Sequence, residues 1–202
     1  MLFMCNAVVC CIPDTKIGGT HDGMENPQNK KNTMQTVYFQ KNPVEVYGTI
    51  PAPGTIAPAF ELTSADLAPV KLSDLAGKRV VLNIFPSLDT GVCAASVRRF
   101  NKEAADYKDT VVLCVSMDLP FAAKRFCVAE GIEGVTAASA FRHPAFGQEY
   151  GVQIVDGPLA NLLARAVVVI GKDGKVLYSQ LVEEITNEPD YDGVKYVLDH
   201  DK

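Results

Sequence analysis

A nearly continuous apolar segment, residues 80–85, in which Asn83 is the one polar residue, is the feature that most constrains how this chain can fold. A run of this kind, rather than an alternating one, is typical of a strand buried on both faces of a central sheet. Pro86 follows at once and, because it has no backbone N–H, it ends such a strand. A helix is predicted over about residues 92–107. The segment therefore predicts a central strand that leads directly into a helix, with Cys93 at the junction.

The rest of the pattern predicts strands and helices on both sides of this junction. The predicted strands cover 36–40 and 44–47, which form a hairpin, and 60–62, 70–72, 111–117, 136–140, 165–170 and 176–182. The predicted helices cover 120–130, 144–150 and 189–198. This order indicates an α/β protein with a mixed central sheet flanked by helices and an N-terminal β-hairpin.

Composition excludes several function classes. The chain has 202 residues, 48% hydrophobic and 21% charged, with a net charge of −5 and a pI near 5.2. An acidic chain argues against nucleic acid or an anionic membrane as the main partner. No apolar run approaches the ~20 residues of a membrane span. We therefore expect neither a nucleic acid nor a membrane partner.

Cysteine usage indicates free thiols rather than a disulfide scaffold. Six cysteines in 202 residues are few for a scaffold held together by disulfides. The sequence contains no C-x-x-C motif, and the three histidines are far apart, so no zinc spacing is present. We expect no metal and no cofactor, and an intracellular protein.

Residues 1–33 differ from the globular pattern of residues 34–202. They combine a short apolar piece holding Cys5, Cys10 and Cys11 with a polar segment that has no periodicity. The interpretations are a disordered or non-native extension, with translation starting at Met34, or a tail whose cysteines bind a disulfide partner, a metal or a membrane. A secretory signal is disfavoured because no basic residue precedes the apolar piece.

Cys93 lies where a fold can stabilise a thiolate, the reactive form of a cysteine. A thiol with a pKa near ~8.5 is only ~3% ionised at pH 7, and lowering that pKa to ~6 requires about 3.4 kcal/mol. A helix N-terminus contributes at most ~2 kcal/mol. A positive charge and hydrogen-bond donors are therefore needed to stabilise the Cys93 thiolate as well. Arg165 and Thr90 are the candidates, since Arg98 and Arg99 lie more than a turn into the same helix.

Most of the chain, from Met34 to about Asp199, resembles the Tpx-type thiol peroxidases, which are atypical two-cysteine peroxiredoxins. The motif P-x-x-x-T-x-x-C, from Pro86 to Cys93, carries this resemblance within the segment 83–98. Further matching segments are 118–122, 125–127, 157–158, 164–170, 184–185 and 188–191.

The resemblance implies a thioredoxin-like fold and the reduction of hydrogen peroxide or organic hydroperoxides. It assigns Cys93 as the peroxidatic cysteine, Cys127 as the resolving cysteine, and active-site roles to Thr90, Pro86 and Arg165. It also implies a Cys93–Cys127 disulfide, recycling by thioredoxin, a homodimer and a cytoplasmic location.

Two other functions use the same residues. Cys93 and Arg99 form the C-x5-R spacing of cysteine phosphatases, although the intervening residues contain no glycine to wrap a phosphate. A peroxide sensor that relays oxidation to a partner protein is the other alternative.

Two structural expectations complete the sequence prediction. The helical segments that carry Cys93 and Cys127 should loosen during turnover. Two cysteines on separate helices are expected to start too far apart, because a disulfide requires Cα atoms within ~7 Å. Phe85, Leu88 and residues 152–163 are expected to line an apolar substrate pocket, and Cys114 is expected to be an inert core residue.

Overall fold

The computed structural model describes residues 33–201. The hypothesis that residues 1–33 are an extension, and every interpretation of Cys5, Cys10 and Cys11, lies outside the described residues apart from Thr33. Thr33 accepts a hydrogen bond from the Gly48 N–H through its carbonyl, at 2.8 Å. No helix within residues 33–201 is long and apolar enough to cross a membrane.

The described residues form ten strands and four α-helices. The strands are β1 (Met34–Phe39), β2 (Asn42–Tyr47), β3 (Glu61–Ser64), β4 (Pro69–Lys71), β5 (Arg79–Ile84), β6 (Thr110–Ser116), β7 (Thr136–Ser139), β8 (Gln153–Ile154), β9 (Ala166–Ile170) and β10 (Val176–Leu181). The helices are α1 (Gly91–Glu103), α2 (Pro120–Glu130), α3 (Ala145–Glu149) and α4 (Tyr191–His200). Short 3-10 turns cover Leu72–Leu75 and Ala104–Asp106.

Seven strands form the central sheet, in the order β10-β9-β5-β6-β7-β3-β4. Strands β5, β6 and β7 run parallel, whereas β9 pairs antiparallel with β5 and β3 pairs antiparallel with β7. The predicted mixed sheet and N-terminal hairpin are therefore confirmed. The C-terminal ends of the three parallel strands meet at one edge, which is where α/β folds place their functional loops.

Helices cover both faces of this sheet. Every residue of β5 is buried, as residues 80–85 predicted. Alternate side chains point to opposite faces of the strand, and apolar clusters cover both faces. Val81 and its neighbours pack under α1 and α4, whereas Leu82 belongs to the core that includes Phe146 of α3. A third apolar cluster, which contains Cys93, joins α1 to α2. Cys93 thus lies against the sheet, at the edge that carries the loops.

Several element boundaries differ from the sequence prediction by one to four residues, and one strand was not predicted. Helix α1 ends at Glu103 instead of continuing to residue 107, and the 3-10 turn Ala104–Asp106 follows it. Helix α4 begins after Asp190, whose carboxylate caps the helix by accepting from the Gly193 N–H at 2.9 Å. Strand β8 was not predicted, because two residues are too few to show a period. It pairs with β2 and extends the hairpin to a three-stranded sheet.

Candidate active site

Cys93 lies in the first turn of α1 and is fully buried. Its thiol accepts a hydrogen bond from Nη2 of Arg165, with 3.2 Å between nitrogen and sulfur. The unpaired backbone N–H groups of a helix N-terminus and a guanidinium both favour a negative charge. Both features lie at the sulfur of Cys93 in the structure.

Arg165 immediately precedes β9 and is 1% exposed. Its Nε donates to the carbonyl of Ile185 at 2.8 Å, which fixes the guanidinium plane. Its Nη1 is also buried and has no hydrogen-bond partner in the structure. A buried donor without a partner is costly, at about 1–3 kcal/mol. The arginine therefore holds one unused donor beside the thiol.

The two competing arginines of α1 point elsewhere. Arg98 forms a bidentate pair with Glu130 of α2, at 2.7 and 3.0 Å. Arg99 pairs with Glu103 at 2.9 Å and lies over the ring of Tyr191. Because the residues that follow Cys93 are helical and Arg99 is already engaged, the C-x5-R spacing does not form a phosphate-binding loop here.

Thr90 and Pro86 shape the loop that leads to Cys93. Thr90 is the N-cap residue of α1, but its side chain makes no capping hydrogen bond. Its hydroxyl instead donates to the carbonyl of Ser87 at 3.2 Å, because the turn from Ser87 brings that carbonyl within reach. The expected hydrogen bond between Thr90 and the sulfur of Cys93 is therefore not formed in this structure. Pro86 is buried in the loop, two residues after the end of β5.

Asp118, at the end of β6, holds the loop from the neighbouring strand. Its carboxylate accepts from the Ser87 hydroxyl at 2.8 Å and from the Leu88 N–H at 2.7 Å. It also accepts from the Ser116 hydroxyl at 2.8 Å. The sequence prediction gave Asp118 no role. Its position after a buried parallel strand, at the edge shared with residues 86–90, was the available signal.

Cys114 lies in β6 and belongs to the same apolar cluster as Cys93. Its sulfur is 3.6 Å from the side-chain nitrogen of Asn83, and it is 2% exposed. Burial raises the pKa of the Cys114 thiol to about 12. The structure thus places Cys114 in the core, as expected from the sequence.

Cys127 is partly buried in α2 and packs against the cluster that contains Cys93. Burial raises the pKa of its thiol above the usual range. Cys93, Cys114 and Cys127 are all free thiols. The structure therefore shows the reduced state, in which Cys93 and Cys127 border one apolar cluster without a bond between them.

Only some of the residues expected to line an apolar substrate pocket lie near Cys93. Phe85 and Leu88 pack in the cluster of Cys93. The buried residues of segment 152–163 pack elsewhere: Val152 and Leu163 under the central sheet and Ile154 under the hairpin. This segment contains β8, which the sequence prediction missed, and the pairing of β8 with β2 holds the segment at the hairpin and away from Cys93.

Comparison with known proteins agrees with this geometry. Residues 52–195 match the Redoxin family. Thiol peroxidases of Mycobacterium bovis and Mycobacterium tuberculosis are 56% identical over 165 residues, which is 82% of this chain and 99% of theirs. A peroxiredoxin-like protein from Aquifex aeolicus has a similar structure, with a TM-score of 0.77 and 42% identity, covering 82% of this chain and 97% of that one.

A thiol peroxidase from Chromobacterium violaceum shares the fold, with a TM-score of 0.74 at 20% identity over 81% of this chain and 95% of that one. The thioredoxin-like fold and the family predicted from the motif around Cys93 are thus confirmed. From the extent of these matches we conclude that the chain belongs to the Redoxin family and, within it, to the thiol peroxidases.

Proposed function

We propose that this protein reduces hydrogen peroxide and organic hydroperoxides, with Cys93 as the nucleophile. The observation that carries the proposal is the buried Cys93 thiol at a helix N-terminus, 3.2 Å from the Arg165 guanidinium. Both features stabilise the thiolate. The names of the mycobacterial relatives support the same activity.

In the first step the Cys93 thiolate attacks one peroxide oxygen. An S–O bond forms and the O–O bond breaks, so that sulfur is oxidised to a sulfenic acid and the other oxygen leaves, after protonation, as water or an alcohol. Negative charge develops on the leaving oxygen. The unpartnered Nη1 of Arg165 is a donor available for that oxygen, and hydrogen bonds that exist only in the transition state accelerate the step.

In the second step Cys127 resolves the sulfenic acid. Its sulfur displaces the hydroxyl, giving a Cys93–Cys127 disulfide and water. Thioredoxin, a dithiol reductant, then reduces this disulfide by exchange and is itself oxidised. The position of Cys127 at the border of the Cys93 cluster supports this pairing. Local opening of α1 and α2 is part of the proposal, because Cys93 is fully buried in the reduced state.

Thr90 and Pro86 complete the proposed site. A rotation about the Thr90 side chain would release its hydroxyl from Ser87 and direct it toward the substrate. Open space borders Gly91, which lies between Thr90 and the reactive turn. Peroxide would therefore approach from the side of the helix N-terminus, with buried Pro86 as a wall of the site.

We also propose a homodimer that works in the cytoplasm. Leu119, Phe121 and Phe141 are exposed by 46%, 68% and 56%. Hydrogen bonds from Ser139 to the Asp118 carbonyl and from the Phe141 N–H to Ser139 bring these residues to one surface. Exposed apolar patches are typical of protein interfaces. The free thiols fit a reducing compartment.

The test is thioredoxin-coupled peroxide consumption by the wild type, Cys93→Ser and Cys127→Ser, with mass mapping of the oxidised protein under non-reducing conditions. We expect no activity for Cys93→Ser, at most a small fraction for Cys127→Ser, and a Cys93–Cys127 bridge in the wild type. Normal turnover by Cys127→Ser would disprove the pairing. A bridge that forms without multiple turnover would favour the sensor function instead.

A further inference from the structure

Glu184 lies in the segment between β10 and α4, and its carboxylate binds two parts of the chain. It accepts from the backbone N–H groups of Gln40 at 3.1 Å and Lys41 at 2.9 Å. It also accepts from the N–H of Thr186 at 3.1 Å and from its hydroxyl at 2.7 Å. These hydrogen bonds, led by that from Lys41, lower the pKa of Glu184 to about 2. The group is therefore a carboxylate throughout the physiological range.

The backbone N–H groups at the tip of the N-terminal hairpin form a site that suits an anion. Gln40 and Lys41 have φ angles of 52° and 67°. Two successive residues with positive φ are typical of the tight turn that joins antiparallel strands. Successive backbone N–H groups in such a turn converge on a concave anion site. The carboxylate of Glu184 occupies that site, so the hairpin tip is held by a residue of the β10–α4 segment.

The peptide group between Ile185 and Thr186 connects Glu184 to Arg165. Its N–H, on Thr186, donates to the Glu184 carboxylate. Its carbonyl, on Ile185, accepts from Nε of Arg165 at 2.8 Å. A carboxylate and a guanidinium thus hold opposite ends of one peptide group. Hydrogen bonds arranged in a chain polarise one another, which strengthens each of them.

We propose that Glu184 is a positioning residue for Cys93, acting through the Ile185–Thr186 peptide on Arg165. The carboxylate fixes the plane of that peptide, the peptide carbonyl fixes Nε of Arg165, and Nη2 then points at the sulfur. This inference rests on the proposed function for its catalytic meaning. It assigns the N-terminal hairpin a part in supporting the reactive thiol.

Backbone pairing beside Glu184 adds to this connection. The N–H of Tyr38 donates to the carbonyl of Glu183 at 2.7 Å, and the N–H of Ile185 donates to the carbonyl of Tyr38 at 2.8 Å. Both peptide groups that flank Ile185 are therefore held, one by the hairpin and one by Glu184. The carbonyl that Arg165 binds is therefore connected to the hairpin through both of these peptide groups.

Glu183 supplies the matched control for a test of this role. It is an exposed neighbouring carboxylate that lines the same surface groove as Lys41, Glu184 and Glu188. Its contact with the hairpin uses the backbone carbonyl, which a side-chain substitution leaves in place. Glu183→Gln thus removes one negative charge close to Glu184 without touching the Ile185–Thr186 peptide.

The experiment measures the iodoacetamide alkylation rate of Cys93 in the reduced full-length protein, by mass spectrometry, between pH 5 and 9. The proteins are the wild type, Glu183→Gln, Glu184→Gln and Glu184→Ala. We expect Glu184→Ala to slow alkylation about 3- to 10-fold at pH 6 and to displace the pH profile upward. The alkylation rate of Glu184→Gln should lie between those of the wild type and Glu184→Ala. The amide retains one acceptor but places N–H groups against the N–H groups of the hairpin tip. Glu183→Gln should stay within about twofold of the wild type.

Equal alkylation profiles for Glu184→Ala and Glu183→Gln would overturn the proposal, as would a Glu184→Gln profile identical to that of the wild type. If Glu184→Ala does not fold, as judged by circular dichroism, the comparison of the two glutamine variants decides. Alkylation requires no peroxide turnover. A wild type that fails to consume peroxide would therefore refute the proposed function while leaving the test of Glu184 intact.

Discussion

Cys93 and Cys114 are two buried thiols of one apolar cluster, yet their surroundings differ in charge. Both are 2% exposed or less. Cys114 lies within β6 and has the neutral side chain of Asn83 as its polar neighbour, so that burial raises its thiol pKa to about 12. Cys93 has a helix N-terminus and the Arg165 guanidinium. Desolvation disfavours every buried thiolate, and a nearby positive charge offsets this cost.

The difference shows that two similarly buried thiols can have different electrostatic surroundings. A cysteine in a strand interior faces backbone groups already paired in the sheet, whereas a helix N-terminus presents N–H groups that lack internal partners. Arg165 reaches the second kind of site because it precedes β9, the strand next to β5. Three predictions test this contrast.

The largest effect is expected for Arg165→Met, which would give Cys93 surroundings like those of Cys114. Loss of a buried charged donor at a reacting centre lowers rates about 10²- to 10³-fold. We expect a decrease of that size in the second-order rate constant for peroxide, measured by stopped flow. Arg98→Met removes an equal charge from the same helix as Cys93 and is the control. A decrease below about fivefold for Arg165→Met would show that the helix N-terminus alone suffices.

An intermediate effect is expected for Asp118→Asn, which leaves the thiol and Arg165 unchanged but weakens the hold on residues 87–88. An asparagine retains one acceptor where the carboxylate binds two hydroxyls and an N–H. We expect a decrease of about 10-fold in the same rate constant and about 1–3 kcal/mol lower stability by urea unfolding. An unchanged rate with lowered stability would assign Asp118 a purely structural role.

The smallest effect is expected for Cys114→Ala, because the Cys114 thiol takes no part in the proposed chemistry. Activity should stay within about twofold, with stability lowered by about 1 kcal/mol. In the native wild type at pH 7–9, Cys114 should resist alkylation while Cys93 reacts, and it should label only once the protein unfolds. The sign follows from a raised pKa, which keeps the thiol neutral until the pH approaches 12. Rapid native labelling of Cys114 would contradict its assignment to the core.

Long periodic segments were predicted well from sequence, and short or contact-dependent features were not. Helix α2 has the predicted bounds, Pro120–Glu130, because a proline starts it and a glycine in the left-handed conformation ends it. Strand β8 has two residues and exists through its pairing with β2. The role of Asp118 in holding residues 87–88 was missed, since it depends on two loops meeting at the sheet edge. Thr90 was predicted to donate a hydrogen bond to the Cys93 thiolate, but its hydroxyl donates to the carbonyl of Ser87 instead.

The sequence by itself determined the α/β fold, the central strand and the cysteine at its junction with a helix, because these depend on apolar periodicity and on proline and glycine positions within a few residues. The tertiary structure decided which arginine meets that cysteine and what holds the arginine in place. The contact from Arg165 to Cys93 joins residues far apart in the chain, and so do the hydrogen bonds that Glu184 accepts from the hairpin tip. Such contacts depend on how strands are ordered in the sheet, which local sequence does not encode.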